Sequence, residues 1–138
     1  MRALVADSSA TTRRVLIRAL RVVGVRDVME FADSRSATPA LAGSPELVVV
    51  EWRLTDDDAL ALVTDLRARE NGGSGRVLVL SERNRRDDIE RMAALGIQGY
   101  LLKPFETRVL IEQLSAVMEA PMPEAETDAG AGEDAAAA

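Results

Sequence analysis

The chain has 138 residues, of which 47% are hydrophobic and 29% charged, as expected for one domain with its own core. It contains no cysteine and no histidine, which excludes disulfides, thiolate metal sites, zinc hydrolase centres and serine or cysteine triads. The formal net charge is −6, but five acids and no base lie in residues 120–138, so the preceding part is nearly neutral. A nucleic-acid-binding domain, which needs a clustered basic excess, is therefore not expected.

The two ends of the chain carry different signals. The start, "MRALVADSS", has too short an apolar run for a signal peptide, and no later run reaches the length of about 20 residues that spans a membrane. We therefore expect no membrane partner and a cytoplasmic location. Residues 120–138 consist mainly of Ala, Pro, Gly and acids, and we predict a disordered acidic tail after a domain at residues 1–119.

Five short apolar or β-branched segments, bounded by turn residues, predict strands. In chain order they are "RALVA" (2–6), "DVMEFA" (27–32), "ELVVVE" (46–51), "RVLVL" (76–80) and "GYLL" (99–102).

The segments between these strands carry apolar residues three or four positions apart, which predicts amphipathic helices. Gly24 and Gly96 follow two of them as stop signals. The weakest helix prediction covers residues 34–43, because Pro39 must lie in a first turn or break the helix. The apolar stripes are Val15, Leu16, Ala19, Leu20 and Val23; Ile89, Met92, Ala93 and Leu95; and Val109, Leu110, Leu114, Val117 and Met118.

Alternating strands and helices predict an α/β fold, a doubly wound parallel sheet with helices on both faces. In such a sheet, ligands bind beyond the carboxyl ends of the strands. Asp7, Glu51, Ser81 and Lys103 each lie at the end of a predicted strand. We therefore expect these four polar side chains at one edge of the sheet.

Four motifs at these strand ends, "VADSS", "VVVEW", "VLVLSE" and "GYLLKPF", resemble the receiver domain of bacterial two-component response regulators, specifically the single-domain chemotaxis type. The resemblance covers residues 2 to about 119. It implies a flavodoxin-like three-layer sandwich with five parallel strands in the order 2-1-3-4-5, and a role in phosphorelay signalling. It further implies that Glu51 occupies the phosphoacceptor position, Asp7 and Ser8 the acidic pocket, and Ser81 and Tyr100 the switch positions. Lys103 and Pro104 match the Lys-Pro pair beside the phosphoryl group.

The chain departs from the family pattern at three places in this pocket. Glu51 stands where the family has the acceptor Asp, and Ser8 stands where it has the acid that binds Mg²⁺ most directly. The following loop, "RLTDDDA", lacks the usual Pro and Gly. Mg²⁺ needs oxygen ligands in a near-octahedral arrangement, and here only Asp7 and Glu51 supply charge. We therefore predict no resident cofactor, weak or absent Mg²⁺ binding, and a degenerate site, that of a pseudo-receiver.

Several residues keep two interpretations. Glu51 either imitates the phosphorylated state or is a strand-end carboxylate paired with Lys103. Asp56, Asp57 and Asp58 either include a substitute acceptor or cap the helix that begins at "ALALVTDL". Ser81 and Tyr100 are ordinary turn and strand residues unless the resemblance applies. The stretch "NGGSG" (71–75) precedes a strand, whereas a phosphate cradle opens a helix, so we predict a flexible loop.

For a receiver, the resemblance implies an output face at about residues 84–119. A basic cluster near its start either is a solvated helix surface or contacts an acidic patch on a partner. The basic cluster comprises Arg83, Arg85, Arg86 and Arg91, and Tyr100 belongs to the same predicted interaction face.

These features favour a non-enzymatic signalling domain that acts through protein interaction, as a monomer or weak dimer, with a histidine kinase or an output protein as partner. The first alternative is a receiver that a histidine kinase still phosphorylates with relaxed site chemistry. The second is an unrelated small α/β enzyme or nucleotide-binding protein that uses the same sheet edge. Against the second stands the lack of a Gly-rich turn from a strand to a helix.

Overall fold

The computed structural model describes residues 1–54, 59–69 and 75–121. The strands are β1 (Arg2–Ala6), β2 (Asp27–Phe31), β3 (Leu47–Glu51), β4 (Arg76–Ser81) and β5 (Gly99–Leu102). The helices are α1 (Ala10–Val22), α2 (Ser34–Ala37), α3 (Ala59–Ala68), α4 (Arg86–Ala94) and α5 (Thr107–Glu119), and a 3₁₀ helix covers Thr38–Gly43. Each predicted strand is present, with bounds that differ by at most one residue at either end.

The five strands form one parallel sheet in the order β2-β1-β3-β4-β5, which confirms the predicted fold class and strand order. All residues of the central strand β3 are buried, because helices cover both faces of the sheet. On one face, Val48 and Val50 pack with α2, α3 and α4. On the other face, Leu47 and Val49 pack with α1 and α5. The sheet and its two helical layers are the expected three-layer sandwich.

Local signals fix the ends of the first two helices. The hydroxyl of Ser9 caps α1 by accepting a hydrogen bond from the backbone N–H of Thr12 at 3.1 Å. Gly24 follows α1 with a positive φ of 95°, a conformation that glycine adopts without strain. Pro39 splits the segment 34–43 into a short α-helix and the 3₁₀ helix, because proline lacks the N–H that would continue an α-helix.

The predicted apolar stripe of α4 is wrong in two positions. Ile89 is 38% exposed and Ala93 is also exposed, whereas the buried residues of this helix are Asp88 and Met92. A short helix touches the sheet along a single line at i, i+4 spacing, and here that line begins next to the polar edge of the sheet. A carboxylate therefore takes the inward position that the sequence pattern assigned to isoleucine.

Some predictions concern residues outside the described ranges: Asp56, Asp57 and Asp58, the loop 71–74, and the tail beyond residue 121. They stay predictions, and so does a location in the cytoplasm. Within the described ranges, no helix is both long and apolar enough to cross a membrane.

Candidate functional site

The carboxyl ends of the parallel strands meet at one edge of the sheet, and the structure brings three of the four predicted polar side chains into contact there. Asp7 follows β1, Glu51 ends β3, and Lys103 follows β5. The Lys103 ammonium lies 2.9 Å from Oδ2 of Asp7 and 3.0 Å from Oε2 of Glu51. All three side chains are at most 12% exposed. One buried cation is thus shared between two buried carboxylates.

The second oxygen of Glu51 is bound by the loop that follows β1. Oε1 accepts a hydrogen bond from the Ser8 backbone N–H at 2.9 Å and another from the Ser8 hydroxyl at 2.8 Å. The longer side chain of Glu51 reaches this loop, whereas an aspartate at the same position would be shorter by one C–C bond, about 1.5 Å. An aspartate at position 8 would instead place a third carboxylate against Glu51. The two departures from the family pattern therefore complement each other, a pairing that the sequence pattern did not predict.

Asp7 is satisfied less completely than Glu51. Its Oδ1 accepts a hydrogen bond from the Ser9 backbone N–H at 2.9 Å. Its Oδ2 has the Lys103 ammonium as an ion-pair partner but accepts no well-aligned hydrogen bond from any described residue. We call Asp7, Ser8, Glu51 and Lys103 the acid–lysine cluster.

The pKa values in the acid–lysine cluster follow from burial and from these bonds. Burial raises the pKa of Asp7, and its ion pair with Lys103 and its hydrogen bond from Ser9 offset this only in part. Burial also acts to raise the pKa of Glu51, but the Ser8 and Lys103 bonds outweigh it, so the pKa is lowered. Burial acts to lower the pKa of Lys103, but Asp7 and Glu51 outweigh it, so that pKa is raised. Glu51 and Lys103 are accordingly an ionised pair at neutral pH.

The residues of the cluster do not fit a Mg²⁺ site. Among the described residues, no group of three or more acidic, His or Cys side chains is placed to hold a metal ion. Asp7 and Glu51 already share the Lys103 ammonium, and Ser8 donates its hydroxyl proton to Glu51. A divalent ion that prefers several free oxygen ligands would have to displace these partners.

The predicted switch residues form a separate arrangement around the loop 82–85, which we call the β4–α4 loop. The Ser81 hydroxyl accepts from the Arg83 N–H at 3.1 Å and donates to the Arg83 carbonyl at 2.9 Å. The Tyr100 hydroxyl donates to the same carbonyl at 2.7 Å. Both polar groups of the Ser81 hydroxyl are thus used by Arg83, and among the described residues Ser81 makes no hydrogen bond to Glu51. Tyr100 is half-buried.

Two clefts flank Glu51. A cavity of about 200 Å³ lies toward the β4–α4 loop, lined by Glu51, Trp52, Arg53, Ser81, Glu82, Arg83 and Asp88. A larger cleft of about 600 Å³ lies on the side of Lys103 and Pro104, with hydroxyl residues of the first turn of α1 and Phe105 along its walls. The Lys103–Pro104 peptide bond is cis. Glu51 lines both spaces.

All four arginines of the basic cluster on the predicted output face are exposed, namely Arg83, Arg85, Arg86 and Arg91. Two exposed apolar side chains accompany it, Ile89 on α4 and Leu102 on β5, each 38% exposed. Cationic and apolar groups are thus both available on this surface.

Arg67, on α3, is an anchoring residue that the sequence pattern did not predict. Its guanidinium is partly buried and donates to the carbonyls of Leu95 and Gly96, both at 2.9 Å, and to that of Gly75. Burial lowers the pKa of Arg67. These bonds attach the carboxyl end of α4 to α3 and to the start of β4. Nothing in the local pattern distinguishes Arg67 from a surface arginine, because its acceptors are backbone atoms distant in sequence.

Comparison with known proteins identifies the receiver family that the sequence motifs resemble. The family model for the response regulator receiver domain matches residues 3–115. The chain is 31% identical over 120 residues to the chemotaxis protein CheY of Pseudomonas aeruginosa, covering 86% of this chain and 97% of that protein. It is also 31% identical over 120 residues to the chemotaxis protein CheY-3 of Vibrio cholerae, covering 86% of this chain and 92% of that protein.

Solved structures agree on the fold. The chemotaxis response regulator CheY4 of Vibrio cholerae superimposes with a TM-score of 0.74 at 23% identity, over 84% of this chain and 97% of that one. A receiver domain described as BeF3-activated DrrB gives a TM-score of 0.72 at 16% identity, over 86% of this chain and 97% of that one. Because the family model matches residues 3–115 and the similarity to the CheY protein of Pseudomonas aeruginosa covers 86% of the chain, the chain belongs to the response regulator receiver domain family.

Proposed function

We propose that this receiver domain signals through protein–protein interaction without phosphorylation at Glu51. The chain is a receiver domain of a two-component system, similar to CheY. The observation that carries the proposal is that both carboxylate oxygens of Glu51 are engaged, one by Ser8 and the other by Lys103. The expected phosphoacceptor is thus occupied by partners from its own chain.

Phosphorylation of a carboxylate requires one of its oxygens to attack the phosphorus atom while a cation neutralises the phosphoryl oxygens. At Glu51, such an attack would break either the pair of Ser8 bonds or the Lys103 ion pair. A lowered pKa also makes the carboxylate a weaker nucleophile. Displacement of the acceptor by about 1 Å lowers the rate of phosphoryl transfer on the order of 10²-fold. Each of these effects slows phosphoryl transfer, and none favours it.

The proposed activity is that of a binding module, not of an enzyme. Its partner would be a signalling protein, either a histidine kinase or a downstream output protein, that contacts the surface of α4, β5 and α5. The exposed arginines near the start of α4 favour a partner with an acidic patch, and Ile89 and Leu102 supply apolar contact area. In this proposal the receiver unit comprises residues 1–119.

The test is intact-mass measurement after incubation with acetyl phosphate or phosphoramidate and Mg²⁺. We expect no phosphate on the natural chain. The double variant Ser8→Asp with Glu51→Asp should gain one phosphate, because it restores both the acidic pair and the reach of the acceptor. Ser8→Ala with Glu51→Gln is the matched control, since it removes the same contacts without restoring the acids. We expect no phosphate on the control.

Metal binding provides a second measurement on the same proteins. Trp52 is 1% exposed and lines the cavity beside Glu51, so its fluorescence reports on this site. We expect no saturable Mg²⁺ quenching of the natural chain below about 1 mM, and clear quenching of the double aspartate variant. One phosphate on the natural chain, located at Glu51 by fragmentation, would instead establish the alternative of a working acceptor with relaxed chemistry.

A further inference from the structure

The carboxylate that α4 buries is not paired within the described ranges of the chain. Asp88, in the first turn of α4, is 5% exposed and forms no hydrogen bond or ion pair with any described residue. Burial of an unpaired carboxylate costs free energy, because the group loses its hydration and gains no partner. An acid in the first turn is stabilised by the helix dipole, but exposed Asp87 has this effect without being buried. The helix end therefore does not account for the burial of Asp88.

Asp88 lines the cavity of about 200 Å³ toward the β4–α4 loop, together with residues from two other segments. Trp52 and Arg53 follow β3, and Arg83 belongs to the loop itself. The backbone of both segments is held in place. The Trp52 N–H donates to the Leu80 carbonyl at 2.7 Å, and the Arg83 backbone binds the two hydroxyl groups described above. The walls of the cavity are thus formed in the absence of a ligand.

The free charges around this cavity are balanced. Glu51 offers no free carboxylate oxygen, because Ser8 and Lys103 bind both. The remaining charged side chains of the lining are two carboxylates and two guanidinium groups, none of which is bonded to a described residue: Asp88, Glu82, Arg53 and Arg83. Only Asp88 is buried, and the other three are exposed. An ammonium group therefore fits the inner end of the cavity, and a carboxylate fits its opening.

We propose that this cavity binds a small α-amino acid as its zwitterion, with the ammonium group on Asp88 and the carboxylate on Arg53 and Arg83. A cavity of about 150 Å³ holds benzene, so this one has room for about six to nine non-hydrogen atoms, the size of an amino acid with a short neutral side chain. Sites for larger ligands measure about 300 to 1,000 Å³, which excludes nucleotides. Guanidinium groups suit the carboxylate because they can form two parallel hydrogen bonds with it.

Such a ligand would join the end of β3 to the first turn of α4. A ligand that binds α4 in one position stabilises that position relative to others. The amino acid concentration would thereby act on the output face, which α4 helps to form. This input is separate from phosphoryl transfer, so the inference holds whether or not Glu51 accepts phosphate.

The probes are L-alanine, L-serine and L-threonine, with ethylamine and propionate as analogues of alanine that carry one charge each. Trp52 is the single tryptophan and lines the cavity, so its fluorescence in the full chain reports binding. We expect a saturable response to at least one amino acid, and at least about tenfold weaker binding of both analogues. Equally tight binding of ethylamine or of propionate would assign the cavity to a simple cation or anion and overturn the proposal. So would the lack of saturation by all three amino acids up to about 10 mM.

The inner end of the cavity is tested by Asp88→Asn, which keeps the side-chain shape and removes the charge. We expect it to weaken amino acid binding at least about tenfold. Asp87→Asn is the matched control, because it removes the same charge from an exposed position in the same helical turn, and should weaken binding less than about threefold. Equal affinities of the two variants would contradict a role for Asp88.

The opening of the cavity is tested by the double variant Arg53→Gln with Arg83→Gln, which alters no buried residue. We expect a loss of at least about tenfold in affinity. Arg14→Gln with Arg18→Gln removes the same charge from exposed positions of α1 and should have less than about a threefold effect. If the two double variants bind alike, the carboxylate is not held by Arg53 and Arg83.

Thermal unfolding separates ligand binding from a structural role of Asp88. Without ligand, Asp88→Asn should be at least as stable as Asp87→Asn, because the fold gives the buried charge no partner. Lower stability would mean that the fold itself uses this charge, which overturns the proposal. A saturating amino acid should raise the melting temperature of the natural chain but not that of Asp88→Asn. An equal rise in both proteins would place the ligand elsewhere.

Discussion

The carboxyl edge of the sheet has two halves that differ in how completely their polar groups are engaged. In the acid–lysine cluster, the ammonium has two carboxylate partners and Glu51 has a partner for each oxygen. Around the β4–α4 loop, Ser81 and Tyr100 both bind one backbone unit, that of Arg83, beside the cavity of about 200 Å³. We call the first half closed because ion pairs engage its charged groups, and the second half open because only a few neutral hydrogen bonds hold it.

This difference bears on how the domain can work. The half that carries phosphoryl chemistry in the family is closed here by the chain's own side chains. The half next to the output face keeps fewer restraints, because α4 buries only Asp88 and Met92. No hydrogen bond between described residues links Glu51 to Ser81 or Tyr100. Coupling between the halves would therefore pass through packing, and buried Trp52 lies on the wall that they share.

The largest expected effect is on the closed half. Lys103→Met removes the cation and leaves two buried carboxylates without it, which should cost about 3 to 5 kcal/mol of unfolding free energy in urea. Adding Asp7→Asn should recover part of this loss, because one buried charge is then removed. Arg108→Met is the control, since its ion pairs are more than 60% exposed. A loss for Lys103→Met no larger than that for Arg108→Met would contradict a closed cluster.

The next effect concerns how α4 is anchored. Arg67→Met removes the donor to three backbone carbonyls and should cost about 1.5 to 3 kcal/mol. Because the bonds reach the carboxyl end of α4, hydrogen exchange should increase at residues 92–98 more than elsewhere. Arg69→Met is the matched control, where the ion pair with Asp65 of the same helix is partly exposed. An equal increase in hydrogen exchange across the whole chain in Arg67→Met would mean that Arg67 does not anchor α4 specifically.

Glu51→Gln keeps the side-chain shape and removes the charge, with an expected loss of about 1 to 3 kcal/mol at neutral pH. Glu51 has a lowered pKa in the folded state, so its ionisation stabilises the fold above its unfolded value of 4.5 and ceases to do so as pH falls through the folded pKa. The difference in unfolding free energy between the natural chain and the variant should therefore shrink below pH 4.5. A difference that is constant with pH would exclude the charge as its source.

The same variant separates the two interpretations of Glu51. If Glu51 imitates a phosphoryl group, hydrogen exchange at residues 81–100 should increase in Glu51→Gln and binding to a partner should weaken. If exchange there is unchanged while global stability falls, Glu51 is a structural partner of Lys103 and the imitation hypothesis is wrong.

The smallest effect is expected in the open half. Tyr100→Phe removes one hydrogen bond to the Arg83 carbonyl and should cost about 0.5 to 1.5 kcal/mol, with faster exchange confined to the β4–α4 loop. Ser81→Ala is the companion variant, because its hydroxyl binds the same backbone unit. Faster exchange around Glu51 in either variant would show that the two halves are coupled more tightly than their bonds indicate.

Much of the fold was predictable because each strand and helix carries its own period. β3 is apolar along nearly its whole length, as a strand covered on both faces must be, and Gly24 and Pro39 mark local breaks through their own backbone restrictions. The wrong positions in α4 show the limit of this reasoning. Its period was correct, but the face that turns inward depends on the polar cavity beside Asp88, which residues distant in sequence create.

The sequence by itself determined that Asp7, Glu51 and Lys103 meet, because parallel strands bring their carboxyl ends to one edge. It also determined that Ser8 and Glu51 depart from the family pattern. Only the tertiary structure decided that these two departures form one bonded pair, that Ser81 binds Arg83 instead of Glu51, and that Arg67 anchors α4. The physical reason is that hydrogen bonds act over about 3 Å, so their partners depend on side-chain directions and loop positions that no local period encodes.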